Sequence, residues 1–304
     1  MNKNREKNIG LYNLVKILMG IALVTSSFDL ILTLKLKDNT IRLSQVCIVA
    51  AAVGFAVIAF KNKEMKLPIG WKELLCLLAI NGMFCFNSDT IARNIGYEIW
   101  FVINVLLVII AVNMFDTDKL KKNLVKLWAL SSVGISLFAI VQFLVGLLGI
   151  SLLTEQWTRP FLPRLNGFCR EPSYLACYLL PFWVFFAYVY ENKEETLFKS
   201  KLNLVCYIII SIAIIFSTSR MGLLMVGAWL CFRLLVVLFN KKNSHIKNLI
   251  VLCAVVALSF LCIVKITSWS NPLYEMNSAA SGENIGGVEG ENIGGAEGEI
   301  IGGA

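Results

Sequence analysis

"LNLVCYIIISIAIIFSTSRMGLLMVGAWLCF", residues 202–232, decides how often this chain crosses a membrane. Its 31 residues are apolar almost throughout, broken mainly by "STSRMG" at 217–222. A spanning helix needs roughly 20 residues, because about 30 Å of hydrocarbon is crossed at about 1.5 Å per residue. The stretch therefore fits one tilted helix or two short ones. The flanking charges choose between them. Lys199 and Lys201 precede it, Lys241 and Lys242 follow it, and both clusters belong on the cytoplasmic side. Only an even number of crossings satisfies both. Two helices then meet at a tight external turn. Arg220 sits at the outer surface rather than at mid-membrane, where a charge costs at least about 2.5–3.5 kcal/mol.

The same reading applied outward gives nine spans, roughly 11–34, 43–60, 73–87, 98–115, 124–149, 173–190, 203–218, 222–240 and 248–268. The fold class is an all-α polytopic integral membrane protein. Composition agrees: 57% of residues are hydrophobic and mean hydropathy is +0.71, too apolar for a soluble domain. The runs are continuous rather than alternating, which favours helices over a barrel. The net charge of +8 punctuates the spans instead of forming a patch, so it points to membrane lipid and not to nucleic acid. The nine cysteines contain no C-x-x-C pair and imply neither a zinc site nor a disulfide framework. Cys169 alone falls in an external loop. The seven tryptophans mostly fall near the predicted interfaces, the usual belt position. Asp29 lies near the outer end of the first span, within reach of the surface.

With the N-terminus inside, the cytoplasmic segments hold 17 Lys and Arg and the external ones hold eight. That bias favours a cytoplasmic N-terminus. Residues 1–268 form the transmembrane domain. Residues 269–304 change character: "GENIGGVEGENIGGAEGEIIGGA" (282–304) is a Gly- and Glu-rich repeat of eight residues. Such a segment cannot bury enough apolar surface to offset chain entropy, and a disordered external tail is expected.

Residues 150–172 form the longest external loop and carry Arg159, Arg164, Arg170 and Glu171. All three cations are arginine, against the trend that depletes positive charge outside. The guanidinium fork matches phosphate or carboxylate oxygens in bidentate fashion. These forks, with Arg220, would suit a lipid-linked diphosphate; binding of ordinary lipid head groups explains them as well. "EPS" at 171–173 is also a helix start, with Pro172 in the first turn and an acid near the positive end of the helix dipole.

"RLNGFCREPSYLA", Arg164 to Ala176, resembles the arginine–glycine–(Glu/His)-Pro segment of the O-antigen polymerase and O-antigen ligase superfamily. "STSRMG", Ser217 to Gly222, is similar to that superfamily's Ser-Arg-Gly turn, at a similar distance downstream. The resemblance covers roughly residues 70–268. It implies a multi-span glycosyltransferase of the bacterial cytoplasmic membrane. Such an enzyme polymerises or ligates undecaprenyl-diphosphate-linked oligosaccharide on the outer face, for O-antigen, capsule or exopolysaccharide, alongside other polysaccharide-assembly membrane proteins. Arg164 and Arg220 would hold the diphosphate and stabilise the leaving group. Glu171 would be the general base for a sugar hydroxyl. Arg159, Arg170 and Ser219 would contact substrate, and Gly167 would let backbone approach the phosphate. The resemblance calls for no cofactor and no metal.

Family members continue past the ninth helix with a large external loop bearing further Arg and, in the ligases, a catalytic His. Here the acidic repeat stands in that place, and the only histidine, His245, falls in a basic cytoplasmic loop. The expectation is of a C-terminally truncated member, possessing part of the site. Two other readings stay open: a transporter or flippase of lipid-linked sugars, which calls for charged or broken helices at mid-membrane, and a non-catalytic membrane fragment.

Overall fold

A computed structural model of the chain describes residues 9–36, 39–63, 65–85, 91–154, 156–159, 162–193, 197–239 and 246–268. The acidic repeat and His245 lie outside the described residues. Among those described the protein is mainly helical, in the order α1 (Ile9–Val24), β1 (Thr33–Leu36), β2 (Asn39–Arg42), α2 (Leu43–Asn62), α3 (Trp71–Cys85), α4 (Ile91–Met114), α5 (Asp118–Leu147), β3 (Trp157–Arg159), β4 (Leu162–Pro163), α6 (Pro172–Glu191), α7 (Ser200–Phe216), α8 (Arg220–Phe239) and α9 (Ile246–Ser268). Six helices, α2, α4, α5, α6, α8 and α9, are long and apolar enough to cross a membrane. The protein is membrane-embedded. Helices α1 and α7 are apolar but shorter, at 16 and 17 residues.

Local chemistry sets the helix ends. The first predicted span ran to residue 34, but α1 stops at Val24. Thr25 Oγ1 and Ser26 Oγ donate to the carbonyls of Ile21 and Leu23, both at 2.8 Å, the local bonding by which Ser and Thr compete with a helix. The chain then turns into the antiparallel β1–β2 hairpin, with Thr33 opposite Arg42 and Leu36 opposite Asn39. Arg42 leads directly into α2, its N–H donating to Gln45 Oε1 at 2.7 Å. Helix α5 starts on Thr117, whose hydroxyl accepts from Leu120 N–H. At 30 residues it is about 45 Å long, more than the hydrocarbon thickness. Helix α4 begins at Ile91, a turn or more before its expected start.

Two larger apolar cores hold the helices among the described residues, with a small third one at Ala22, Cys47 and Ile48. One joins α1, α2 and α4 through Val15, Met19, Ala51, Phe55 and Ile110. The larger joins α5 to α9 and reaches into the 162–169 loop. At its centre Trp183 is fully buried, lies tilted against Tyr207 and edge-on to Trp229, and donates from Nε1 to Ser211 Oγ at 2.8 Å. The belt position expected of the tryptophans does not hold for Trp183: Ser211 satisfies the indole N–H inside the bundle, so the ring has no need of the interface.

Contacts between loops sort the helix ends into two sets. At one end Asn113 bonds both the N–H and the C=O of Lys66, Asn62 bonds Tyr12, and Asn248 bonds the carbonyls of Tyr190 and Glu191. At the other, the 25–32 segment bonds Phe168, and Arg164 bonds the 217–218 turn. At the first of these ends Arg233 of α8 forms a two-bond ion pair with Glu191, the last residue of α6, at 3.1 and 2.5 Å. Glu191 is fully buried.

Candidate functional site

The 150–171 loop is tied down by one side chain. Gln142, fully buried in α5, donates from Nε2 to the carbonyls of Leu152 and Leu153 at 2.7 and 2.9 Å. Its Oε1 accepts from the N–H groups of Gly167 and Asn166 at 3.0 and 3.4 Å. Asn166 adds bonds from Nδ2 to the carbonyls of Leu153 and Cys169. Phe168 is wedged between Phe28 and Phe138, with ring centroids 4.6 and 4.1 Å away. Its carbonyl accepts from the N–H groups of Asp29 and Leu30. Residues 166–168 are thus fixed against α5 and the 28–30 segment.

This frame positions Arg164. Its Nε donates to Thr218 Oγ1 at 2.9 Å and to Ser217 O at 3.3 Å; Nη2 reaches Thr218 O at 3.4 Å and Nη1 reaches Gln156 Oε1 at 2.9 Å. Thr218 has φ +51°, a left-handed conformation that aims its carbonyl at the guanidinium. Three of the five N–H groups of an arginine are taken by these bonds, and two have no acceptor among the described residues. The turn itself is closed by Ser217, whose hydroxyl donates to Ile214 O and accepts from Ser219 N–H. Arg220 opens α8 and is exposed. Burial, and then the charge of Arg220, push the Arg164 pKa below its ordinary value, while Glu171 opposes the shift. Two guanidinium groups and a carboxylate therefore lie within electrostatic reach of one another.

Glu171 is the N-cap of α6, with extended backbone and Pro172 following, as the sequence indicated. It is half-buried, and its Oε2 accepts from Ser173 Oγ at 3.0 Å. Arg170 is exposed, and its backbone N–H faces the Asp29 carboxylate. Arg159 is in β3; its side chain lies outside the described residues.

Two of the expected substrate contacts have other work. Gly167 is buried, its N–H taken by Gln142. It has φ +57°, and a Cβ there would meet Leu175 and Ile135 at 3.3 and 3.4 Å. It serves the turn and the packing. Ser219 is buried and its hydroxyl accepts from Gly222 N–H at 3.3 Å, capping α8. Gly222 allows α8 to meet α6 closely, since a Cβ there would lie 2.8 Å from Ala176 Cβ.

A second constellation lies beside the first. Asp29, expected at the surface, has a side chain only 8% exposed and forms an ion pair with Arg42 at 3.0 Å. Burial raises its pKa, against the lowering effects of Arg42 and of the Arg170 N–H. The Arg42 guanidinium lies 5.2 Å from the centre of the Trp100 ring, a cation–π distance. Cys169 is also buried, its thiol donating to Ser27 O at 3.3 Å; burial pushes that thiol far up. Among the described residues no group of three or more His, Cys, Asp or Glu comes together.

Gln142, Gln156 and the Asp29–Arg42 pair were not legible as site residues. Only Gln142, a lone amide in the run "AIVQFLVG", carried a signal. Compared with protein-family models, curated proteins and solved structures, the chain matches none.

Proposed function

We propose that the chain is a membrane glycosyltransferase of the O-antigen polymerase or ligase type. It would span the bacterial cytoplasmic membrane nine times with its N-terminus cytoplasmic, and act on undecaprenyl-diphosphate-linked glycan at the outer face. The observation that carries this reading is the grip of Arg164 on the 217–218 turn, which ties it to the segment that leads into Arg220 at the start of α8. Two like charges held close at a membrane surface repel each other. A polyanion relieves that repulsion, and a diphosphate at the head of a lipid arrives at that depth.

In the reaction, Glu171 takes the proton of an acceptor sugar hydroxyl. The freed oxygen attacks the anomeric carbon of the donor, and the carbon–oxygen bond to the diphosphate breaks. The bond's electron pair leaves with the lipid diphosphate. The available N–H groups of Arg164 and the exposed Arg220 stabilise that developing charge, with Arg170 at the rim.

The test is reconstitution of the full chain in liposomes with an undecaprenyl-diphosphate oligosaccharide as donor. Product length is read by gel or mass spectrometry. Lengthened or transferred glycan that disappears in Arg164→Ala and Arg220→Ala supports the reading. Movement of substrate across the bilayer with no change in glycan length would replace it with a flippase.

A further inference from the structure

The first hairpin and the loop frame border an open cleft of about 330 Å³ lined by Asp29, Arg42, Tyr97, Trp100, Tyr174 and Tyr178, with Ser27 at its wall. That is within the range of ligand pockets, roughly 300–1,000 Å³. Four of these residues are aromatic and two carry charge, a mixture unlike the apolar groove between α3 and α4. At the wall Ser27 Oγ is buried with no hydrogen-bond partner among the described residues, while Asp29 Oδ1 is held by Arg42 Nε at 3.0 Å. Ser27 is 4% exposed, so its hydroxyl is a desolvated group that a polar ligand would satisfy.

The chemistry matches a saccharide. A pyranose ring has faces of C–H bonds that pack on aromatic rings, and a rim of hydroxyls that bond carboxylates and guanidinium groups. We infer that this cleft binds a sugar ring of the glycan, as the acceptor subsite of the membrane enzyme. In taking the ligand for an acceptor, this rests on the proposed transferase reading. Its placement fits. Glu171, Tyr174 and Tyr178 are spaced i, i+3, i+7 and share one face of α6, so the carboxylate stands one turn from rings that line the cleft. The Arg170 N–H faces Asp29 from the same loop. A sugar seated on Tyr174 and Trp100 would lie between the first hairpin and the base, on the same membrane face as the arginine pair.

The experiment uses the full chain in lipid nanodiscs. One titration uses a panel of free di- to tetrasaccharides of hexoses, N-acetylhexosamines and 6-deoxyhexoses, read by saturation-transfer NMR and tryptophan fluorescence. The other uses inorganic pyrophosphate. At least one panel member binds the wild type. Trp100→Ala and Tyr174→Ala weaken it by about tenfold or more, while Tyr174→Phe, which keeps the stacking face, stays within about threefold. Tyr174 is 51% exposed, so its substitution leaves the fold intact. Arg164→Ala and Arg220→Ala lose pyrophosphate and keep the sugar. If no panel member binds, or if the two Ala variants bind as the wild type does, these rings are interfacial anchors and the inference is overturned. If the sugar behaves as expected but pyrophosphate binding ignores both arginines, the transferase reading fails and the saccharide site stands.

Discussion

Replacing Gln142 with leucine tests whether one buried amide organises the whole loop. The change keeps the approximate volume and removes four hydrogen bonds. Leu153 O retains a partner in Asn166 Nδ2 at 3.0 Å, and the bond from Asn166 N–H is long at 3.4 Å. The groups left bare are Leu152 O and Gly167 N–H, which were bonded at 2.7 and 3.0 Å. An unsatisfied buried group costs about 1–3 kcal/mol. Leucine also removes the desolvation of the amide itself, so the net loss is about 2–4 kcal/mol, a factor of about 30 to 700 in loop opening. Amide hydrogen exchange in nanodiscs reads this directly. Peptides covering 162–169 should lose protection by that factor, while the α7 core around Tyr207 stays protected. Cys169, buried and with its thiol pKa pushed far up, should resist alkylation in the wild type and react in the variant. Protection of 162–169 unchanged within about threefold would show that the loop is held by Phe168 and the Asn166 bonds alone.

Three further outcomes are expected. Arg233→Ala leaves Glu191 a buried charge without its guanidinium, destabilising the protein by about 3–5 kcal/mol in detergent unfolding; the double variant with Glu191→Gln should recover much of that, and no recovery would mean that packing, not charge, was lost. Gly222→Ala puts a methyl 2.8 Å from Ala176 Cβ and should lower stability by about 1–3 kcal/mol, with Gly222→Ser worse; a thermal midpoint equal to wild type would show that α8 can shift freely. For Asp29, burial raises the folded pKa above the ordinary 3.8. The folded state therefore binds the proton more tightly than the unfolded state. Its contribution is fully present below pH 3.8 and is lost as pH rises through the raised value. Asp29→Asn should flatten the thermal midpoint against pH in that window, its offset reflecting the unpaired Arg42; an unchanged slope would place the Asp29 carboxylate in water.

The helices were largely legible because lipid imposes a simple rule: about 20 apolar residues, bounded by charge. The division of residues 202–232 into α7 and α8 at Ser217–Ser219 followed from lysine placement alone. The end of α1 was not legible, since "FDLILTL" remains apolar after Val24 while Thr25 and Ser26 turn the backbone. In the candidate site, Arg164 and the 217–218 turn could be named from sequence, but not that one grips the other. That Gly167 donates its N–H to Gln142 and Ser219 caps α8 was not legible either, because glycine and serine have the same appearance in a turn as in a binding loop. The Asp29–Arg42 pair and the Glu191–Arg233 pair are separated by 13 and 42 positions, and no spacing rule connects such partners.

The Glu191–Arg233 pair also bears on how the protein is made. Arg233 lies 13 residues into α8, about 20 Å along the helix from Arg220. A nascent α8 entering lipid alone would hold that guanidinium within two turns of its C-terminal end without a carboxylate beside it, and would have to snorkel it towards the interface. Its acidic partner is on α6, which is synthesised earlier and is joined to α8 only through α7. Helix α6 must therefore stay close to the insertion site until α8 emerges, and α6, α7 and α8 would enter the bilayer as a group. The order of the helices along the chain would then act as a timetable for membrane insertion, with the ion pair as its checkpoint.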